Sequence, residues 1–265
     1  MSNLYSPSSI KCFFSELYKI IGDTDKAVSE IWFEISEIKI LEQLDKYELS
    51  EFLDNFEFIE KKRGNYMDYI SIDKIKFVAE AIKYLEIDIK NLSELLDFNG
   101  FEALVQEILL RNDYRAIKNF RFTDKSDFKS KTGQKKYEID VIGVYRNFFL
   151  IIDAKQWRRK DSFSQINKAA NLQLQRVIAL KKNPEIFTQL IHKLLGLNPR
   201  IRSYLPLKLI PIIVSIEDNG IKINDKQVPL VSITNFNAFL NEFQNYLHYY
   251  KVVEIKKVNI QKQLV

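Results

Sequence analysis

One cysteine, Cys12, stands in 265 residues, so no disulfide can form within the chain and a reducing interior is expected. Glycine is scarce, with 7 in the whole chain and no Gly-rich phosphate loop, which argues against ATP hydrolysis. No stretch approaches the roughly 18 consecutive apolar residues of a membrane span, and no charged-then-apolar leader opens the sequence. A cytoplasmic protein without a membrane partner is expected. The two histidines, His192 and His248, are isolated on helical stretches and lack metal-ligand spacing, so they read as structural or surface residues. There is no internal repeat and no low-complexity tract. What remains is a chain long enough for two domains, and its charge divides unevenly. Residues 1–99 carry 12 Lys and Arg against 20 Asp and Glu, a net of −8, while residues 100–265 carry 28 against 15, a net of +13.

The most informative pattern lies in the basic part. Lys136-Tyr137-Glu138-Ile139-Asp140-Val141-Ile142 and Phe148-Phe149-Leu150-Ile151-Ile152-Asp153-Ala154-Lys155 are rich in Ile, Val and Phe, as adjacent strands joined by a short turn at Tyr145-Arg146-Asn147 would be. Side chains at i and i+2 of a strand share a face, so Asp153 and Lys155 point the same way and Ala154 points to the other side. The turn brings Asp140 beside them. Five consecutive apolar residues imply a strand buried on both faces, and a charged pair at the end of such a strand needs a reason to sit near the core. Carboxylate pairs suit hard divalent ions such as Mg2+ or Mn2+, which keep several waters and can hold a scissile phosphate. A lysine two residues on can orient or deprotonate an attacking water and offset charge building on phosphorus. The competing reading is a solvated strand end that carries an Asp and a Lys by chance.

Upstream, Phe101, Leu104, Val105, Ile108 and Leu109 repeat at helical spacing after the break Asp97-Phe98-Asn99-Gly100, which predicts a helix over residues 101–111. Glu102 lies at the margin of its apolar face. It can reach a sheet-end metal, or it is simply a first-turn acid favoured by the helix macrodipole.

Gly100-Phe101-Glu102, then Glu138-Ile139-Asp140-Val141-Ile142, then Ile151-Ile152-Asp153-Ala154-Lys155, in that order and spacing, resemble the PD-(D/E)xK nuclease superfamily. The nearest flavour is that of archaeal Holliday-junction resolvases and Mrr-like restriction endonucleases. The proline of the motif name is absent, since Ile139 precedes Asp140. The resemblance covers roughly residues 98–260. It implies an α/β, restriction-endonuclease-like mixed central sheet flanked by helices, with Glu102, Asp140 and Asp153 as metal ligands and Lys155 as the catalytic lysine. It also implies a Mg2+- or Mn2+-dependent deoxyribonuclease acting in restriction, defence or DNA repair and recombination. The alternative is a nuclease fold that binds nucleic acid, or serves as an adaptor, without cutting. A homodimer is expected if both strands of a duplex are cut.

Basic residues bracket the site. Lys131, Lys135 and Lys136 precede the first strand, and Arg158 and Arg159 follow Lys155; crowded around an acidic pocket, such charges attract phosphates. Residues 123–134 read as a polar loop that wraps a nucleic-acid backbone or is an ordinary hairpin connection. A helix over residues 162–182 buries Phe163, Ile166, Ala170, Leu174 and Val177, and Gln165, Lys168, Gln173 and Arg176 lie off that stripe or near its edge. By the resemblance, Lys168 and Gln173 would touch the substrate strand, although a solvated helix face explains them equally. Trp157 would stack on a base or cover the sheet edge. Residues 205–214 read as a strand that Pro211 marks as an edge or a bulge, residues 228–233 as another, and a helix follows to about His248.

The first part, residues 1–97, reads as a separate, mainly helical module, and residues 98–265 as the nuclease-like domain. Helical periodicity covers residues 8–21, 26–44 and 46–55. Residues 56–62 and 66–70 then alternate about Arg63-Gly64-Asn65, a hairpin signal. Helices followed by a hairpin suggest a winged helix, but Glu48, Glu51 and Asp54 would meet DNA phosphates with like charge. A protein partner or dimer contact fits this acidic module at least as well.

Overall fold

The computed structural model describes residues 5–42, 44–63, 68–85, 89–125, 135–156, 163–196, 204–216 and 222–258. The chain is mixed α/β and divides into two compact units, Met1–Glu107 and Ile108–Val265. The division falls inside the helix Phe98–Arg111, where the sequence reading puts it at 97–98.

In the first unit α1 (Pro7–Gly22) starts at Ser6, whose hydroxyl accepts from the Ser9 N–H. Then come β1 (Glu30–Glu34), two short 3-10 turns, α2 (Lys46–Leu53), β2 (Ile59–Arg63), β3 (Asp68–Asp73), α3 (Lys74–Tyr84) and α4 (Ile89–Ser93). The expected helix over residues 26–44 is therefore wrong. Ile31 and Phe33 are buried and alternate with exposed Glu30 and Trp32, and backbone pairing to β3 outweighs the helical spacing of the apolar residues. The expected hairpin is present as the antiparallel β2–β3 pair, giving a sheet of order β1-β3-β2. Buried Phe13, Phe14, Phe52, Phe56, Phe58 and Phe77 meet ring to ring and form this unit's core.

α5 (Phe98–Arg111) leads into the second unit, which is built on β4 (Arg115–Thr123), β5 (Lys136–Tyr145), β6 (Phe148–Lys155), α6 (Phe163–Lys182), α7 (Pro184–Leu195), β7 (Leu207–Ser215), β8 (Leu230–Ser232), α8 (Ile233–Glu242) and β9 (Val253–Ile255). The sheet runs β4-β5-β6-β7-β8, with β9 beside β7; β4, β5 and β6 are antiparallel neighbours, whereas β6, β7 and β8 are parallel. Arg146 and Asn147 turn β5 into β6 as expected, pairing Tyr145 with Phe148, with Arg146 at φ 54°.

β7 is central, which corrects the expectation that Pro211 marks an edge or bulge. Ile213 donates its N–H to Pro229 on the β8 flank, and Pro211, two residues earlier, turns its nitrogen to that same flank. There β9 pairs only residues 207–209 and β8 only residues 213–215, so the missing donor falls in the gap between them. The helices α6 and α7 cover one face of the sheet, where Val177, Leu180, Phe187 and Leu190 pack on Phe149, Ile151, Phe120 and Phe122.

Candidate active site

β6 fixes the first carboxylate. All its residues from Phe148 to Ala154 are buried, and Asp153 continues the row of Phe149 and Ile151 under α6, only 1% exposed. A carboxylate so placed needs compensation. It is held by two cations: Lys155 Nζ lies 3.0 Å from Asp153 Oδ1, and Arg176, from α6, donates to the same oxygen at 2.5 Å. Arg176 is itself oriented by Gln173, whose Oε1 accepts from it at 2.9 Å while its amide donates to the Ile151 carbonyl at 2.5 Å.

β5 brings the second carboxylate to the place where β5 and β6 part. Their pairing ends at Val141 and Ile152, and one step beyond it the Asp140 side chain accepts the Ala154 N–H through Oδ2 at 2.9 Å. A side-chain oxygen thus replaces the ladder's backbone acceptor. On the other flank Asn119, which stands between the pairs Lys118 with Val141 and Phe120 with Ile139, has φ 57°. Ile139, Ile142 and Val144 all join one core cluster, so the inward-outward alternation shifts phase around Asp140.

Burial raises the Asp140 carboxyl to about 6, and the nearby Asp153 charge adds to the rise; Lys155, the Ala154 N–H and Arg176 oppose it. The group is poised to change charge in the neutral range. Asp140 Oδ1 and Asp153 Oδ2 take no hydrogen bond among the described residues, leaving two hard oxygen donors on adjacent strands. That donor set fits a divalent cation, which would also relieve the repulsion that raises Asp140. Among the described residues no group of three His, Cys, Asp or Glu is assembled.

The other sequence-derived residues divide. Glu102 is half-buried on α5, in the first unit, while the second unit by itself assembles Asp140, Asp153 and Lys155. Gln173 is fully buried, so its amide supports β6 and Arg176 and is not turned to a substrate strand. Lys168 is exposed on α6. Lys135 and Lys136 are exposed at the start of β5, and Lys135 Nζ donates to Gln175 Oε1 at 3.0 Å. Lys131, Trp157, Arg158 and Arg159 lie outside the described residues. Arg176 is the residue that sequence reasoning did not assign to the site. Its signal was its place beside Val177 at the margin of the buried stripe, three residues after Gln173.

No known protein family matches the chain, and no curated protein does. A solved structure, protein VC1899 from Vibrio cholerae, is similar over 92% of this chain and 51% of that one, at 11% identity and a TM-score of 0.30. The chain spans about half of that protein's length, and the likeness is too distant to carry an argument.

Proposed function

We propose that the second unit is a divalent-metal-dependent nuclease of the restriction-endonuclease-like kind, hydrolysing phosphodiester bonds in DNA. The observation that carries the reading is the bond by which Asp140 accepts the Ala154 N–H across the fork of β5 and β6, which sets its carboxylate near that of Asp153, with Lys155 Nζ 3.0 Å from Asp153. Asp140 and Asp153 would hold the ion; when bound, it supplies Lewis-acid polarisation of the phosphate and a water made acidic enough to attack. The chain's own groups do the rest. Lys155, one-third exposed, stands where it can position a water and counter charge on phosphorus. Arg176 holds the Asp153 carboxylate in place, and Gln173 holds Arg176. Glu102 enters as a third acid on the resemblance alone, and Glu102→Gln tests it. The first unit's order of one helix, a strand, short turns, a helix and a hairpin agrees with a winged helix, and its acidic surface suits a protein partner or a second copy.

The test is cleavage of labelled linear, nicked, branched and single-stranded substrates with Mg2+ or Mn2+. Asp153→Ala and Lys155→Ala abolish cutting while salt-sensitive binding persists; cutting that survives both changes overturns the assignment. A second reading, a nuclease fold without catalysis, draws on one observation: Lys155 and Arg176 already neutralise Asp153. It predicts that no metal condition yields cleavage.

A further inference from the structure

A cavity of about 520 Å³ opens between the outer half of β4 and the start of α7, on the same sheet face as Asp153. Its floor is Phe120 and Phe122, and four cations line it: Arg121, Lys125, Lys182 and Lys193. Glu185 is the one acid among the described residues of the lining. Arg121 is partly committed, since Glu138 accepts from it at 2.8 Å. Lys125, Lys182 and Lys193 are exposed, and Lys193 Nζ lies 5.6 Å from the centre of the Phe120 ring. The walls are linked by hydrogen bonds. Asn183 is buried and ties them together, its Oδ1 accepting the Lys125 N–H at 2.9 Å and its Nδ2 donating to Asp124 Oδ1 at 2.7 Å and to the Ala179 carbonyl at 2.8 Å.

The cavity is joined to the candidate active site by α6. Arg176, which grips Asp153, and Lys182, in the cavity wall, stand six residues apart on this helix, about 9 Å along its axis. Lys135 lies between them: its Nζ contacts Gln175 and its carbonyl accepts the Asp124 N–H. Across the sheet, β4 is two strands from β6, about 10 Å. Positive groups therefore continue from Arg176 through Lys135 to Lys125 and Lys182, with apolar aromatic floor only at the far end.

We infer that this cavity holds a phosphate-bearing nucleotide of a single nucleic-acid strand, flanking the position where the strand would be cut. The inference rests on the nuclease reading for its location and goes beyond it in naming the form of the substrate. The size decides for one strand: a pocket of this volume admits a small organic group such as a nucleotide, whereas a duplex is far too wide to enter between a strand and a helix. Cations alone would take any polyanion; the edges of Phe120 and Phe122, 6% and 8% exposed, add a small apolar contact for a base.

The experiment is anisotropy of a labelled single-stranded oligonucleotide and its duplex on the full chain carrying Asp153→Ala, over a range of salt. The change Lys182→Glu with Lys193→Glu is expected to weaken single-strand binding about ten-fold and to make its salt dependence shallower by about 1.4 in log–log slope, two phosphate contacts being lost. Lys182→Arg with Lys193→Arg should bind as the parent does. Unchanged single-strand affinity and slope in the glutamate pair overturn the inference, and so does an equal loss for the duplex. A thermal melt matching the parent's shows that loss of binding is not loss of fold. Because no cleavage is needed, the two readings fail separately. Charge-dependent binding without metal-dependent cutting sinks the nuclease alone, whereas Asp153-dependent cutting with unaltered KM in the glutamate pair sinks the cavity alone.

Discussion

At the scale of single residues, Asp140 carries an electrostatic cost. Its carboxyl is raised to about 6, against an ordinary value near 4. Between those two values folded Asp140 binds a proton that the unfolded chain has released, so the contribution of this group to stability is greatest below about pH 4 and falls as pH rises to about 6. Above that the penalty is constant. Asp140→Asn is expected to raise metal-free stability at pH 7 by about 2 kcal/mol and to flatten this fall, while removing cleavage; chemical denaturation at pH 4.5 and 7 checks both. Arg176 behaves in the opposite way. Arg176→Ala leaves Asp153, 1% exposed, with Lys155 as its one remaining cation among the described residues. Destabilisation of about 2 kcal/mol is expected, less than for a fully broken buried pair. Lys155→Ala should cost less stability and more activity, because the lysine is the more exposed of the two partners.

At the scale of elements, the strands that carry the site were legible because their composition admits few alternatives. Five apolar residues before Asp153 and an Ile- and Val-rich run around Asp140 could be little else than neighbouring buried strands, and the two-residue turn fixed their register. The helix over residues 26–44 failed because Val28, Ile31, Ile35 and Ile38 fall at helical spacing while Ile31 and Phe33 alternate as in a strand, and only pairing with β3 decides. Pro211 misled for a different reason: which flank its nitrogen faces depends on where β8 and β9 stop, which no local pattern encodes. Arg176 and Gln173 were visible only as polar residues near a stripe edge. That Gln173 is buried follows from the close approach of α6 to β6. Gly143 shows how tight such packing is between α5 and β5. A Cβ there would stand 2.9 Å from both methyl carbons of the buried Leu109. Gly143→Ala should therefore destabilise the protein by about 1–3 kcal/mol, and pairing it with Leu109→Ala should cost less than the sum of the two single changes; a double-mutant cycle of thermal melts measures that coupling.

At the scale of the whole molecule, charge separates along the chain, with −8 over residues 1–99 and +13 over residues 100–265. The positive part is where Lys155 and Arg176 meet Asp153 and where Lys125, Lys182 and Lys193 line the neighbouring cavity. Nucleic-acid binding should weaken steeply with added salt, and a stopped-flow series from low to physiological ionic strength should show the association rate falling along with affinity. The same distribution predicts that a polyanion binds the second unit and not the first, whose net negative charge repels it.

The account turns on whether Asp140 and Asp153 grip a divalent ion together. Calorimetric titration of the full chain with Mn2+ near pH 6 reads this directly, because ion binding displaces the proton that Asp140 retains. The expected result is saturable binding, with proton release seen as a heat that depends on the buffer, lost in Asp153→Ala and in Asp140→Asn. Heats identical in the parent and in Asp153→Ala would contradict it.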